Sequence, residues 1–319
     1  MTWTPYYTGT GVAPAQFPAL PPPPPWRGAA GPDRVQASTY RPPPGLVDAV
    51  NAALHLRRPL LLTGPAGSGK STVVEQIAAE LGLGDVLRWH ITSRSTLAEA
   101  LYRYDALGRI HAHNLRTLDR PAVPAATVGD DIGDFVQLGP LGTALLPGGR
   151  PRALLIDEID KSDLDLPSDL LDVLERGGFE IPELARHPSK SITVRTVESG
   201  GRHHIHHGLV QCDEFPVIVL TSNGERDFPA PFLRRCVRFD MPPLSAGALT
   251  EIVEAHLDRI EEETTKSLVD AFVTKLNNGE ALAIDQLLNA VHLLRGNRVQ
   301  EDEQRSRLEQ LLLRELGGA

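Results

Sequence analysis

Cysteine is scarce in this chain: Cys212 and Cys236 are the only two among 319 residues. They stand too far apart in sequence for a thiolate metal clip and are too few for a disulfide framework, so both are expected as reduced thiols in or near strands. Basic residues are in deficit too. Lys and Arg number 32 against 41 Asp and Glu, a net charge of -9, and there is no basic tail. That balance excludes a sequence-wide field drawing the protein onto nucleic acid or an anionic membrane, and leaves a nucleic-acid role only to a local patch. No apolar run reaches the roughly 18 residues of a membrane span, and Met1-Thr2-Trp3-Thr4-Pro5 has neither the basic region nor the apolar core of a secretory signal. The expectation is a cytoplasmic protein without a membrane partner.

Hydrophobic residues, at 41%, and charged residues, at 23%, are those of a folded protein, and the length prefers a large domain plus a smaller one. Proline is concentrated at the start, in Pro21 to Pro25 and in Pro42-Pro43-Pro44. Residues 1–44 therefore read as a polyproline-type leader that cannot bury a core, either a solvated segment or a ligand for a proline-recognising partner. From Leu46 the pattern turns helical, with Val47, Val50, Ala53 and Leu54, and the apolar run Pro59-Leu60-Leu61-Leu62 follows. Val86 to Ile91, Ala153 to Ile156, Val217 to Leu220 and Val237 to Phe239 are further strand-like runs separated by helical stretches. Runs of this kind suit a parallel five-stranded sheet with crossover helices outside, an α/β class, over residues 45–242. After Pro242-Pro243 only amphipathic helices are expected, including Ala283 to Arg295 and a segment carrying Leu308, Leu311, Leu312 and Leu316, so residues 243–319 read as a small all-α lid domain.

Between the first strand and the next helix stands Gly64-Pro65-Ala66-Gly67-Ser68-Gly69-Lys70-Ser71, followed by Thr72. Its spacing is that of the P-loop of nucleoside-triphosphate-binding proteins. Glycines let backbone N–H groups curl around an anion, and the helix N-terminus adds its positive dipole end. In that arrangement Lys70 neutralises the β- and γ-phosphates and Ser71 ligates Mg²⁺.

The strand Ala153-Leu154-Leu155-Ile156 ends in Asp157-Glu158, two acids at the carboxyl edge of a parallel sheet, where ligands of such sheets bind. Asp157 is expected in the Mg²⁺ shell and Glu158 as the group that polarises the attacking water. Thr221-Ser222-Asn223 ends another buried strand, and Asn223 either contacts the γ-phosphate or its water, or caps a turn.

The order of these elements resembles the AAA+ ATPases, and the local wording is similar to their MoxR branch of chaperone-like remodelling ATPases. The likeness is carried by Leu154 to Asp163, by Leu170-Leu171-Asp172-Val173-Leu174-Glu175, by Phe179-Glu180-Ile181-Pro182-Glu183, and by Thr221 to Pro229 running into Phe232-Leu233-Arg234-Arg235-Cys236. It covers about residues 40 to 300. The resemblance implies an ATP- and Mg²⁺-dependent hydrolase acting on a protein client in a homo-oligomeric ring, a hexamer being one size it allows. It makes Asn223 the first sensor, and it makes Arg235, or its neighbour Arg234, the arginine finger offered to an adjacent subunit. The alternative is that both arginines pair with surface acids. A second-sensor arginine has no counterpart in Ile284 to Ala290, while Arg295 and Arg298 come later. Leu107 to Arg150, containing Gly139-Pro140-Leu141, is expected to hold an insertion facing the client.

His203-His204-Ile205-His206-His207 invites a metal reading, but no acid or Cys nearby completes a tetrahedral set. An exposed hairpin between Ile192-Thr193-Val194 and Leu209-Val210, its tip meeting a substrate or a central pore, is the preferred expectation. Two other functional classes stay open: a slow nucleotide-dependent switch or scaffold that recruits an effector through the leader, and a DNA-acting P-loop motor or restriction-type GTPase. The second of these is disfavoured by the acidic charge.

Overall fold

The computed structural model describes residues 24, 40–119, 132–243, 246–256, 262–278, 282, 284–294 and 302–314. Most of the proline-rich leader lies outside the described residues, as do Arg295, Arg298 and Leu316. The chain divides into two compact units. One comprises residues 43–63 and 77–240; the other comprises residues 64–76, residues 241–319 and the stretch up to Pro42.

In the first unit the described strands form two sheets. The larger-stranded elements of the nucleotide-binding pattern are β1 (Leu60–Thr63), β2 (Leu87–His90), β5 (Ala153–Asp157), β10 (Val217–Ser222) and β11 (Val237–Asp240). They make a fully parallel five-stranded sheet in the order β11-β1-β10-β5-β2. Sequence explains the order. Leu60 to Leu62, Ala153 to Ile156 and Ile218 to Leu220 are apolar without interruption and almost wholly buried, as central strands covered on both faces must be. β2 and β11 alternate instead, with Arg88, His90, Arg238 and Asp240 exposed, and these are the two edges. Helices flank the sheet, and their apolar faces, including Leu141, Leu166, Leu170 and Phe232, share one core with the strands.

Register aligns the carboxyl ends. Thr63 lies beside Ser222, Leu220 beside Ile156, and His90 beside Asp157. The ends of β1, β10, β5 and β2 therefore share one sheet edge, and the chain leaves β1 there to enter the loop that begins at Gly64.

The second sheet has six short strands in the order β3-β4-β7-β8-β9-β6, with β3 (Tyr102–Tyr104), β4 (Val136–Leu138), β6 (Gly178–Glu180), β7 (Ser191–Arg195), β8 (Arg202–His206) and β9 (Leu209–Gln211). It corrects the expectation for the histidine run. Ile192-Thr193-Val194 and Leu209-Val210 do not pair with each other; His203 to His206 lie between them in β8, which pairs along its length with β7. The turns fall instead at residues 196–201 and at His207-Gly208, where His207 (φ 56°) and Gly208 (φ 72°) adopt the left-handed conformations that a tight reversal needs.

The second unit has its own apolar core. Helices Ala246–His256, Glu262–Asn277, Ile284–Leu294 and Asp302–Leu312 meet through Leu249, Val253, Phe272, Leu287, Val291 and their neighbours. In the helix expected from Ala283 to Arg295, Leu287, Leu288, Val291 and Leu294 form the buried face and Ile284 is partly buried, whereas Leu311 points to solvent. No helix among the described residues is long and apolar enough to cross a membrane.

Candidate functional site

The loop Gly64 to Gly69 folds around its own lysine. Lys70, 7% exposed, opens the helix Lys70–Leu81 and donates from Nζ to the carbonyls of Gly64 and Pro65, each at 2.8 Å. Gly64, Gly67 and Gly69 take φ values of 144°, 76° and 82°, conformations that non-glycine residues seldom adopt. Gly69 is constrained twice, since an added Cβ would stand 2.7 Å from the Tyr40 ring. Tyr40 is also held through its carbonyl, which accepts from Gln76 Nε2 at 3.0 Å, so the end of the leader is stapled to the loop and its helix. Pro65, Ala66 and Gly67 are exposed, while Ser68 is buried and its hydroxyl has no partner among the described residues. Ser71 and Thr72 continue into the first helical turn, and the Thr72 N–H bonds to the Gly69 carbonyl at 3.0 Å. A buried ammonium at a helix N-terminus, an orphaned hydroxyl and glycine-shaped backbone fit a phosphate group.

At the edge of the parallel sheet, Asp157 ends β5 and Glu158 follows in a left-handed conformation, φ 60° and ψ 46°. Both side chains are partly buried. Thr221, 1% exposed at the end of β10, stands between them: its hydroxyl donates to Asp157 Oδ1 at 2.5 Å and accepts the Glu158 N–H at 2.9 Å. Glu158 Oε2 accepts from Lys161 Nζ at 2.8 Å, a hydrogen bond that holds the lysine's pKa above its ordinary value. His90 approaches the same pair from β2, with Nε2 3.6 Å from Glu158 Oε2 and Nδ1 4.0 Å from Asp157 Oδ2.

Asn223 lies just past β10, and its backbone is tied down from below. Asp160, 3% exposed, accepts the N–H of Asn223 at 2.9 Å and that of Glu225 at 3.2 Å on Oδ2, while its Oδ1 is buried without a partner among the described residues. Arg226 adds a bond from its guanidinium to the Ser162 carbonyl at 2.5 Å. The segments after β5 and after β10 are thus laced together, and Asp157, Glu158 and Asn223 meet at one edge.

The two arginines part company. Arg235 bonds through Nε to Glu175 and through Nη1 to the Pro231 carbonyl at 3.2 Å. Its guanidinium holds the Glu175 carboxyl below the usual carboxylate range, and its own pKa is raised in return. Arg234 is exposed, and its carbonyl accepts from Arg58 Nη1 at 2.9 Å. Within one chain, then, Arg235 adopts the pairing with a surface acid. Among the described residues no group of three or more His, Cys, Asp or Glu is arranged to hold a metal, and the histidines of β8 are in none. Thr221, Asp160, Lys161 and His90 were given no role from sequence; the signal for the first two lay in their places, Thr221 near the end of a buried strand just before Asn223 and Asp160 in the turn after Asp157.

A parallel sheet with a glycine-rich loop leaving one central strand and paired acids ending another defines the P-loop nucleotide-binding class. The chain matches the AAA domain (dynein-related subfamily) over residues 59–235, more than half its length, and it belongs to that family. Domains of this family act as nucleotide-dependent ATPases, and proteins that contain them commonly form rings.

Proposed function

We propose that the protein binds ATP with Mg²⁺ through Gly64 to Thr72 and Asp157, and hydrolyses it. In this reading Lys70 and the loop amides hold the phosphates, while Ser71 and Asp157 ligate Mg²⁺, which would neutralise charge on the triphosphate. Glu158 accepts a proton from the attacking water and Asn223 orients that water against the γ-phosphate. Arg235, with Arg234 as the second candidate, is supplied to the site of an adjacent subunit, which makes turnover depend on a homo-oligomeric ring. The likeness of Leu154 to Asp163 and Thr221 to Pro229 to the MoxR branch extends the reading to chaperone-like remodelling of a protein client in the cytoplasm. The carrying observation is the hydroxyl of Thr221 between Asp157 and Glu158, which fixes two acids in different settings at one sheet edge.

Glu158→Gln tests it. The variant is expected to bind a fluorescent ATP analogue with Mg²⁺ as the wild type does and to release no phosphate. Wild-type turnover by Glu158→Gln would remove the role given to Glu158, and failure of the unaltered protein to bind any nucleoside triphosphate would remove the whole reading.

A further inference from the structure

We propose that the outward face of the second sheet is a docking site for an acidic polypeptide segment. The register assembles a row of side chains across four strands: Arg103 beside Gln137, Gln137 beside Arg195, and Arg195 directly opposite Arg202. With neighbouring strands about 4.8 Å apart, the row is about 14 Å long. His204 and His206 extend the same face, because alternate residues of β8 point the same way. The three arginines and both histidines are exposed. Among the described strand positions on this face the one acid is Glu180, at the far edge on β6.

The row is only partly compensated. Like charges directly opposite across an antiparallel pair are destabilising, and Arg195 with Arg202 is such a pair. Arg202 is offset by Asp134 at 2.8 Å and Arg103 by Glu99 at 3.5 Å, both exposed ion pairs of the kind that contribute little and exchange readily. The Arg195 side chain has no partner among the described residues. A chain of net charge -9 that nonetheless gathers guanidinium groups on one face presents the complement of carboxylates. The planar fork of arginine matches a carboxylate with two hydrogen bonds. About four residues of extended chain span the row, so a short acidic stretch satisfies it. A nucleic acid fits less well, since the acidic remainder of the protein repels a long polyphosphate. The site is independent of the nucleotide reading and lies outside its residues.

The test uses the full chain and a fluorescein-labelled peptide of about 12 residues alternating Glu with Ser, beside its Gln-for-Glu twin. The acidic peptide is expected to bind, to weaken as salt rises to about 0.3 M, and to lose about tenfold or more in affinity with the double change Arg195→Gln and Arg202→Gln. The Gln twin is expected not to bind. Arg195→Gln alone is expected to keep or raise the thermal midpoint, because it removes a like-charge pair, and nucleotide affinity is expected to be unchanged in both variants, so that loss of peptide binding is separable from unfolding and from any failure of the ATP site. Equal binding by the double variant overturns the proposal. So does tighter binding of a single-stranded oligonucleotide of equal charge, which would give the face to nucleic acid. Wild-type self-association that the double variant abolishes would give it to a second copy of this chain, and would equally overturn it.

Discussion

Thr221 and Asp157 are joined by a hydrogen bond of 2.5 Å from the threonine hydroxyl to Oδ1, formed between the ends of two adjacent parallel strands. The same hydroxyl takes the N–H of Glu158, whose backbone sits in the left-handed region. A non-glycine residue pays about 1 kcal/mol or more for that conformation, so something must hold it, and the bond from Thr221 does so. Asp157 Oδ2 faces His90 Nδ1 at 4.0 Å. One buried side chain thereby sets the orientation of both acids.

Thr221→Val removes the hydroxyl and leaves the Glu158 N–H without its partner, a loss of about 1–3 kcal/mol where water cannot replace it. If that loss falls on the positioning of Glu158, turnover drops about 10- to 100-fold, with a smaller change in nucleotide affinity. Thr221→Ser keeps the hydroxyl and is expected to retain most of the rate. Phosphate release measured beside nucleotide binding checks this; wild-type turnover by Thr221→Val would show that the bond is structural only.

The central strands were legible because burial on both faces demands unbroken apolar runs, and Leu60 to Leu62, Ala153 to Ile156 and Val217 to Leu220 supply them. β2 was found from Val86 to Ile91 although it is an edge, its alternation of Leu87 and Trp89 with Arg88 and His90 being overshadowed by apolar neighbours. Of the second sheet only Ile192-Thr193-Val194 and Leu209-Val210 were read as strand-forming, and the rest escaped notice for a physical reason. Strands such as Val136–Leu138 and Gly178–Glu180 have three residues, too few for any period to register, and they are stabilised by partners distant in sequence. The loop and the two acids could be read because their chemistry needs fixed residue types at fixed spacing. Asp160 and Thr221 act through bonds between chain segments some 60 residues apart, which no local pattern encodes.

Asp160 gives a second test. Its Oδ2 serves the N–H groups of Asn223 and Glu225, so Asp160→Ala strips both of their acceptor. Each unsatisfied group costs about 1–3 kcal/mol when dry, less where loop water reaches it. A thermal midpoint lower by several degrees is expected, on the scale of about 2–4 °C per kcal/mol for a domain of this size. Turnover is expected to fall further than stability explains, because Asn223 loses its anchor. Asp160→Asn keeps one acceptor oxygen and is expected to lie between the two in both measurements.

Burial pushes the Cys236 thiol from 9.0 up to about 12, and the Cys212 thiol is raised by burial as well. A raised pKa means the native state favours the neutral thiol, so its contribution to stability is complete below pH 9 and is lost as pH climbs toward 12. The nucleophilic thiolate is correspondingly rare near neutrality. Titration with a thiol-reactive disulfide reagent at pH 8 is expected to find both cysteines slow in the native protein and both reactive in guanidinium chloride. Fast reaction of Cys236 under native conditions would contradict its burial.

The pair formed by Arg235 and Glu175 is half exposed, with side-chain exposures of 40% and 54%, and such a solvent-screened pair holds its partners only lightly. In the proposed reading a guanidinium held so lightly is available to a phosphate of a neighbouring subunit, where the charge it would meet in the transition state is far larger. Arg235→Ala is therefore expected to leave nucleotide affinity within about twofold and to lower turnover about a hundredfold or more. Glu175→Gln, which frees the guanidinium, is expected to preserve the rate. The decisive measurement mixes two inactive proteins. Arg235→Ala retains Glu158, and Glu158→Gln retains Arg235, so a shared interface can unite the intact halves and turnover should reappear on mixing. If activity stays absent while Arg234→Ala proves to be the variant that complements Glu158→Gln, the guanidinium that crosses the interface is that of Arg234, and the bond from Arg235 to Glu175 is a surface ion pair without a part in hydrolysis.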